Sequence, residues 1–332
     1  MKDRQSNFEL LRLIAMLMVM ACHAIGYVQG TDLIGFLGAS RLVITQLCAV
    51  AVDVFVMISG WFGIKASWKG AAKLIFQVWF LAVLCCLVFL VLGMPVSFKK
   101  DLLPYLLFGS GYWFVVSYLI LYALSPILNS FVEQATQKQF AGVLVAFFLA
   151  EFIFGYVLDL GHFDYGFSPL FFIGLYLLAR YARLYPGRLF SFSKGLDFII
   201  YLGISILSML GFWLGYKWFG MGFHLNHYDS PLIVVSSLAF LLFFSKLKFY
   251  SEFINHLASS AFAIYLIHTH SLVYPLFKRG ADSILANSSP LVSIFFLFVF
   301  IICSAGFCIL IDKLRLYVWI RISPSQKHSS IA

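Results

Sequence analysis

Long runs of apolar residues, separated by short polar connectors, dominate the chain. A helix that crosses a bilayer needs about 20 mostly apolar residues, and about ten runs meet that length. The runs are continuous and do not alternate apolar with polar positions, which favours helices over barrel strands. The pattern therefore predicts an all-α, polytopic integral membrane bundle of about ten transmembrane helices. The predicted spans are roughly 8–28, 42–64, 71–93, 112–131, 139–158, 168–185, 197–219, 230–245, 257–277 and 290–312.

The composition supports this prediction, because 62% of the 332 residues are hydrophobic and only 11% are charged. A soluble domain is about half apolar and about a quarter charged, so a soluble enzyme is excluded, as is a disordered chain. We expect residues 1–315 to form one integral membrane domain and residues 316–332 to form a short polar cytoplasmic tail. The first run lacks a small-residue cleavage site, so we expect it to stay as a membrane helix.

The net charge of +9 is carried by lysines and arginines that cluster in the connectors. When the N-terminus is placed in the cytoplasm, most of these cations fall in the inner segments, as the positive-inside rule requires. We therefore expect both termini in the cytoplasm, and an even number of helices agrees with that. Short basic clusters between apolar runs indicate membrane topology rather than a nucleic-acid partner, so membrane lipid is the expected surrounding.

Two polar residues of the first run, Arg12 and His23, are eleven positions apart. At about 100° per residue they return to nearly the same face of a helix, with a rise of about 16 Å between them. An ionisable residue inside a membrane points to function by default. A desolvated imidazole stays neutral and takes a proton from an alcohol, and a guanidinium holds phosphate through its planar fork. The bland alternatives are a histidine satisfied within the bundle and an arginine that reaches back to the interface.

Three further ionisable residues lie inside predicted spans: Asp53, Glu151 and His268. Asp53 needs a partner, and Arg12, His23 and His268 are the candidates; with His23 it would form a base and its orienting group. Glu151 lies in no motif that assigns it a role. The outer loops hold acidic and imidazole groups that suit either a polar acceptor such as a glycan or ordinary wet surface: Asp159, His162, Asp164, His224, His227 and Asp229. The spacing of His224 and His227 is only a weak metal signal, and no metal is predicted.

Five blocks, in order along the chain, resemble a known family of membrane proteins. They are NFELLR at 7–12 followed by His23, VDVFVMISGW at 52–61, the helix at 113–129 with WF, Y, LY and SPILN, FFIG at 171–174, and AIYLIH at 263–268. Together they resemble the acyltransferase 3 family, bacterial membrane O-acyltransferases that decorate exopolysaccharides, capsules, lipopolysaccharide and antibiotics. The resemblance covers about residues 7 to 315.

The resemblance implies transfer of an acyl group from cytoplasmic acyl-CoA, usually acetyl-CoA, to a hydroxyl of a polysaccharide or lipid-linked glycan at the bacterial cell membrane. It implies that His23 is the catalytic base and that Arg12 helps to place the donor. Many members carry arginines where this chain has lysines, which would bind the donor phosphates as point charges: Lys65, Lys69 and Lys73. We also expect four residues near the substrate or the developing oxyanion: Trp113, Tyr118, Tyr265 and His268.

The rival hypothesis is a proton-coupled transporter or exporter of a glycan, since intramembrane Arg, His, Asp and Glu also suit such a carrier. The absence of paired repeats with corresponding broken helices counts against it. A sensor or scaffold for polysaccharide synthesis is a third hypothesis. The sequence leaves open the acceptor sugar, the acyl chain, a direct transfer against an acyl-histidine intermediate, and a homo-oligomeric state.

Overall fold

The computed structural model describes residues 4–26, 35–109, 112–161, 163–222, 224–287 and 289–322. Within these residues the regular structure is helical and no strand is present, which confirms the all-α prediction. The helices are α1 Ser6–Ile25, α2 Gly35–Cys48, α3 Ala51–Phe62, α4 Trp68–Val91, α5 Leu103–Leu106, α6 Trp113–Gln134, α7 Gln137–Ala150, α8 Pro169–Leu184, α9 Lys194–Phe219, α10 Pro231–Ser245, α11 Glu252–Ala258, α12 Ala261–His268, α13 Tyr274–Asn287 and α14 Pro290–Ile322.

Seven helical segments among the described residues are long and apolar enough to cross a membrane. They are Ser6–Ile25, Gly38–Phe62, Trp68–Val91, Trp113–Gln134, Gln137–Val157, Lys194–Phe219 and Pro290–Ile322. Each corresponds to a predicted span, so the polytopic membrane fold is confirmed. Two further predicted spans, 168–185 and 230–245, correspond to α8 and α10, which have 16 and 15 residues.

The predicted single helix over 257–277 is wrong. The segment contains the end of α11, all of α12 and the start of α13, with turns between them. Ser259 donates to the His256 carbonyl in the first turn, and Thr269 donates to the Tyr265 carbonyl in the second, which competes with continued helix. Pro275 then opens α13, where its missing N–H costs nothing. The high hydrophobic content of 257–277 predicted one helix, but Ser259, Thr269 and Pro275 divide the segment into three.

The chain divides into two compact units. Unit 1 comprises Met1–Ala66 and Trp113–Asn255, and unit 2 comprises Ser67–Tyr112 and His256–Ala332. In unit 2, α14 continues to Ile322, into the segment predicted as a polar tail, and residues 323–332 lie outside the described residues.

The core of unit 1 is built around α3, which packs against α1, α8 and α10. Eight of its twelve residues are buried. Gly60 allows the closest approach, because a Cβ atom there would lie 2.3 Å from the backbone oxygen of Tyr176 in α8. Gly174 of α8 is covered in the same way by the ring of Phe147, 2.1 Å from such a Cβ atom. Small residues let helices approach closely in a membrane, and here they fix α8 between α3 and α7.

Polar caps begin several of these helices, as their sequences require. Ser67, Ser168 and Ser193 each accept a hydrogen bond from a backbone N–H three residues later. Thr136 and Gln139 form a complete capping box at the start of α7.

Unit 2 contains a buried ion pair in α14. Arg315 donates through Nε to Asp312 Oδ1 at 2.8 Å and through Nη2 to Asp312 Oδ2 at 2.6 Å. Gln77 of α4 adds a third hydrogen bond to Asp312 at 3.3 Å. Both charged side chains are almost wholly buried, so each compensates the other's loss of hydration.

Candidate active site

Arg12 projects from α1 at one end of unit 1. Its side chain is 32% exposed, and Nη1 donates to Glu9 Oε1 at 2.6 Å. One turn earlier, the ring of Phe8 packs against Trp61 and Phe62, with centroids 5.7 Å and 4.9 Å away. These contacts hold the start of α1 against the end of α3. Since a guanidinium has five N–H donors, the pair with Glu9 leaves Arg12 able to bind an anion.

Two arginines of α8 meet the end of α3 at the same place. Arg183 Nη1 donates to the Trp61 carbonyl at 2.5 Å, and its guanidinium lies over the rings of Trp61 and Phe62. Gly63 has a positive φ of 74°, and a Cβ atom on it would lie 3.4 Å from the Arg180 guanidinium. Arg180 Nε is buried and makes no hydrogen bond to any residue that the structure describes. We call this surface of unit 1, formed by Arg12, Lys65, Arg180 and Arg183, the basic end.

A closed ring of hydrogen bonds fixes the backbone next to the basic end. The Ile64 N–H donates to the Tyr176 hydroxyl at 3.0 Å, which donates to Asn129 Oδ1 at 2.6 Å. Asn129 Nδ2 then donates to the Ile64 carbonyl at 2.8 Å. Both backbone polar groups of Ile64, the second residue after α3, are satisfied in this way. The ring ties α3, α6 and α8 together where the basic residues converge.

Tyr118 continues the polar side chains from the basic end into unit 1. Its hydroxyl lies 3.0 Å from Ser59 Oγ and within electrostatic range of Arg12. Tyr118 was predicted near the substrate, and the structure places it towards the basic end, within electrostatic range of Arg12. Trp113, five residues earlier on α6, lies towards the opposite end of unit 1, beside Phe167 and Tyr228.

His23 lies in the last turn of α1, which runs unbroken from Ser6 to Ile25. The separation of eleven positions from Arg12 to His23 therefore corresponds to a rise of about 16 Å on nearly one helix face. His23 is half-buried. Gly26, with a φ of 75°, ends the helix directly after it.

Asp53 is completely buried in the first turn of α3. Its Oδ2 accepts a hydrogen bond from Ser237 of α10 at 3.3 Å, and its Oδ1 has no hydrogen-bond partner in the part of the chain that the structure describes. Measured from the contact of Phe8 with Phe62, Asp53 lies about 13 Å along α3 and His23 about 22 Å along α1. This difference in depth separates Asp53 from His23. Among the described residues its hydrogen-bond partner is Ser237, and none of the three expected partners, Arg12, His23 and His268, takes that place. The role of Asp53 in orienting the His23 imidazole stays a prediction.

Buried carboxyl groups collect at the opposite end of unit 1. Glu151 and Asp229 are each 1% exposed. No residue that the structure describes hydrogen-bonds to Glu151 Oε1 or to either carboxyl oxygen of Asp229. They lie within electrostatic range of each other and of Asp53. Burial raises the pKa of Asp229 to about 6, and the charges of Asp159 and Asp164 add to the rise. We call this part of unit 1, formed by Glu151, Asp159, Asp164 and Asp229, the acidic end.

Trp113 lies at the acidic end. Its ring is stacked on Tyr228 with centroids 6.2 Å apart and packs edge-on against Phe167 at 4.5 Å. A Cβ atom on Gly166 would lie 2.5 Å from Tyr228 Cβ and 2.9 Å from the Asp229 nitrogen. The chain before α8 therefore presses directly on the segment that carries Asp229.

The imidazoles predicted in the outer loops also lie here. His224 Nδ1 and His227 Nδ1 are 3.2 Å apart, and the ring of Tyr165 packs on both histidines. Burial and the neighbouring His224 lower the pKa of His227 to about 4. His162 lies outside the described residues. Within the part of the chain that the structure describes, no group of three or more His, Cys, Asp or Glu residues is arranged to hold a metal ion.

The remaining predicted site residues belong to unit 2. His268 is buried, its Nδ1–H donates to the Ile264 carbonyl of its own helix, and its ring packs against Tyr265. Lys69 and Lys73 are exposed in the first two turns of α4.

The fold and these features define a multi-pass, all-α membrane protein with a basic end, an acidic end and a histidine on the helix that starts at the basic end. A family model described as "Acyltransferase domain" matches residues 5–311, and the chain belongs to this family. It is therefore a membrane acyltransferase, which confirms the family predicted from the five sequence blocks. Comparisons with curated proteins and with solved structures return no match.

The sequence did not single out three features of this region. In the sequence, Arg180 and Arg183 served only as two of the cations that predict membrane orientation. They are three positions apart, so they share one face of the helix that begins with the FFIG block. Ser237, which donates a hydrogen bond to Asp53, belongs to none of the five sequence blocks. Glu151 was noticed as buried but given no role, because its neighbour Asp229 is distant in sequence.

Proposed function

We propose that the chain transfers an acyl group, most simply acetyl, from cytoplasmic acyl-CoA to a hydroxyl of a cell-surface or exported glycan. The observation that carries this proposal is the unbroken α1. It connects Arg12, at a cluster of phosphate-binding side chains, to His23 about 16 Å further along nearly the same face. A donor that is held by phosphates and reacts at the far end of a long arm needs this separation.

The basic end would bind the CoA phosphates. Arg12, Arg180 and Arg183 offer planar forks that bind phosphate oxygens in pairs, and Lys65 adds a mobile point charge. The contact of Arg183 with the Trp61 carbonyl and ring holds its guanidinium in place before the donor arrives. The pantetheine arm would follow Ser59 and Tyr118 towards His23. In this proposal the basic end faces the cytoplasm of a bacterial cell and the acidic end faces outward.

His23 would act as general base. Its neutral imidazole takes the proton from the acceptor hydroxyl while that oxygen attacks the thioester carbonyl carbon. A tetrahedral oxyanion forms and then collapses, and the carbon–sulfur bond breaks. The imidazolium returns the proton to the leaving CoA thiolate, so the histidine ends neutral and no other reactant is consumed. We propose direct transfer, without an acyl-histidine intermediate.

The test measures acetyl content of the producer's surface glycan by mass spectrometry in cells that carry His23→Ala or Arg12→Ala. Loss of a general base lowers the rate by about 10² to 10⁴, so glycan acetylation should fall below detection with His23→Ala. His256→Ala is the matched control, because His256 is an exposed histidine of α11. Normal acetylation with a His23→Ala chain present in the membrane at wild-type level would refute the proposal.

A further inference from the structure

At the acidic end, several buried polar atoms have no hydrogen-bond partner among the described residues. Asp229 is 1% exposed, and within the described part of the chain neither of its carboxyl oxygens has a hydrogen-bond partner. The same holds for the buried Glu151 Oε1. Ser230, the next residue after Asp229, is 0% exposed, and its hydroxyl lies beside the side chain of Tyr156. Buried polar atoms are nearly always paired, so two carboxyl groups with unpaired oxygens in one place point to a site for a hydrogen-bonding ligand.

These atoms belong to one cluster. Glu151 and Asp229 lie within electrostatic range of each other, and the hydroxyl of Tyr156 lies within range of both and near the Ser230 side chain. The packing of neighbouring segments fixes the positions of Asp229 and Ser230. Gly166 presses on the Tyr228–Asp229 backbone, and α10 begins directly after Ser230.

The cluster lies at the depth of His23. Asn7 Nδ2 donates to the Phe244 carbonyl at 2.9 Å, which fixes α1 against α10 at the basic end. From that contact, His23 lies about 24 Å along α1 and Ser230 about 21 Å along α10 in the opposite chain direction. A group bound at Asp229 and Ser230 is therefore level with the imidazole.

We propose that Glu151, Asp229 and Ser230 form the acceptor subsite, which holds a neutral sugar through its hydroxyl groups. This inference rests on the proposed function, since it names where the glycan acceptor docks. A sugar hydroxyl both donates to carboxylates and accepts from Ser230 or from a protonated carboxyl group, whereas an ammonium group only donates. The half-buried rings of Trp113 and Tyr228 at the same end supply the aromatic surface that sugar rings pack against.

Binding to the purified full-length chain in detergent, without an acyl donor, tests the subsite. The probes are maltotriose, which is neutral, and the trimer of glucosamine, which is cationic. We expect wild-type protein to bind maltotriose, and Asp229→Asn and Glu151→Gln to weaken that binding by about tenfold or more. Ser230→Ala, the smallest change, should weaken it severalfold and serves if a carboxyl variant fails to fold.

Asp282→Asn is the matched control, because Asp282 is an acid in an exposed pair with Lys278 of unit 2. His23→Ala should also bind maltotriose normally, so loss of catalysis and loss of the acceptor subsite are told apart. The inference is overturned if wild-type protein does not bind maltotriose, if it binds only the cationic trimer, or if the folded subsite variants bind maltotriose as wild type does.

Discussion

Gly60 of α3 lies directly against the backbone of Tyr176 in α8, and a Cβ atom on Gly60 would be 2.3 Å from the Tyr176 carbonyl oxygen. Nothing larger than hydrogen fits there, because the obstacle is main chain rather than a side chain that can turn away. The contact brings the end of α3 under α8. The ring of Ile64, Tyr176 and Asn129, and the meeting of Gly63 with Arg180, depend on this approach.

Gly60→Ala should therefore destabilise unit 1 severely. Overpacking against a rigid neighbour costs about 3 kcal/mol, and the basic end should be displaced with the helix. Thermal unfolding in detergent measures the effect. Gly203→Ala is the matched control, since nothing lies within 4 Å of a Cβ atom at Gly203 of α9, and its unfolding temperature should not fall. Equal unfolding temperatures for the two variants would show that α3 and α8 do not pack as described.

Tyr176→Phe should lower stability by about 1–3 kcal/mol, because it leaves the buried Ile64 N–H without an acceptor and Asn129 Oδ1 without a donor. Tyr181→Phe on the same helix is the control. Its hydroxyl receives only a 3.5 Å hydrogen bond from Gln137 at the exposed surface, so its loss should change stability very little. Denaturant unfolding of both variants checks the difference, and a larger loss in Tyr181→Phe contradicts the ring.

If the basic end binds the donor as proposed, Arg183→Ala should raise the KM for acyl-CoA by about tenfold and leave kcat nearly unchanged. The lost contact would be to the donor phosphates, far from the reacting carbon. Lys217→Ala offers a control from the opposite end of unit 1, because Lys217 also lies over a tryptophan ring, that of Trp213, at 4.9 Å. Steady-state acyl transfer at varied acyl-CoA measures both variants. A fall in kcat with unchanged KM would remove Arg183 from the donor site.

Asp229→Asn should stabilise the chain in a way that depends on pH. Burial raises the pKa of Asp229 from about 3.8 to about 6, so the folded state binds the proton more tightly than the unfolded state. The wild-type chain therefore gains stability as pH falls from 6 towards 4 and loses it as pH rises through 6. The variant has no such group. Its advantage in unfolding temperature should be largest near pH 7 and vanish near pH 4.

His227 does not obscure that result. Its lowered pKa of about 4 weakens the folded state as pH falls, but it does so in both chains and cancels in the difference. An advantage of Asp229→Asn that is the same at pH 4 and pH 7 would mean that the carboxyl group is not desolvated.

Asp312→Ala should cost about 3–5 kcal/mol, because it leaves the buried guanidinium of Arg315 without its carboxylate. Asp282→Ala breaks an ion pair of the same unit in which the acid is half exposed, and it should cost at most about 1 kcal/mol. Unfolding in detergent, with membrane insertion checked first, distinguishes them. Similar losses in both variants would contradict the burial of the α14 pair.

The sequence by itself determined the helical membrane class, the positions of seven long spans and the family. These follow from local properties: the length of apolar runs, the absence of alternation and ordered motif blocks. It also placed Arg12 and His23 on one face, because that relationship depends only on the period of a single helix.

Only the tertiary structure decided which residues from different helices meet. The partner of Asp53, the arrival of Arg180 and Arg183 beside Arg12, and the cluster of Glu151 with Asp229 join positions far apart in the chain. It also divided the predicted span 257–277, where hydroxyl side chains and a proline outweigh apolarity. Hydrophobicity selects segments for the membrane, whereas close backbone contacts such as that of Gly60 select which faces touch, and no local pattern encodes the latter.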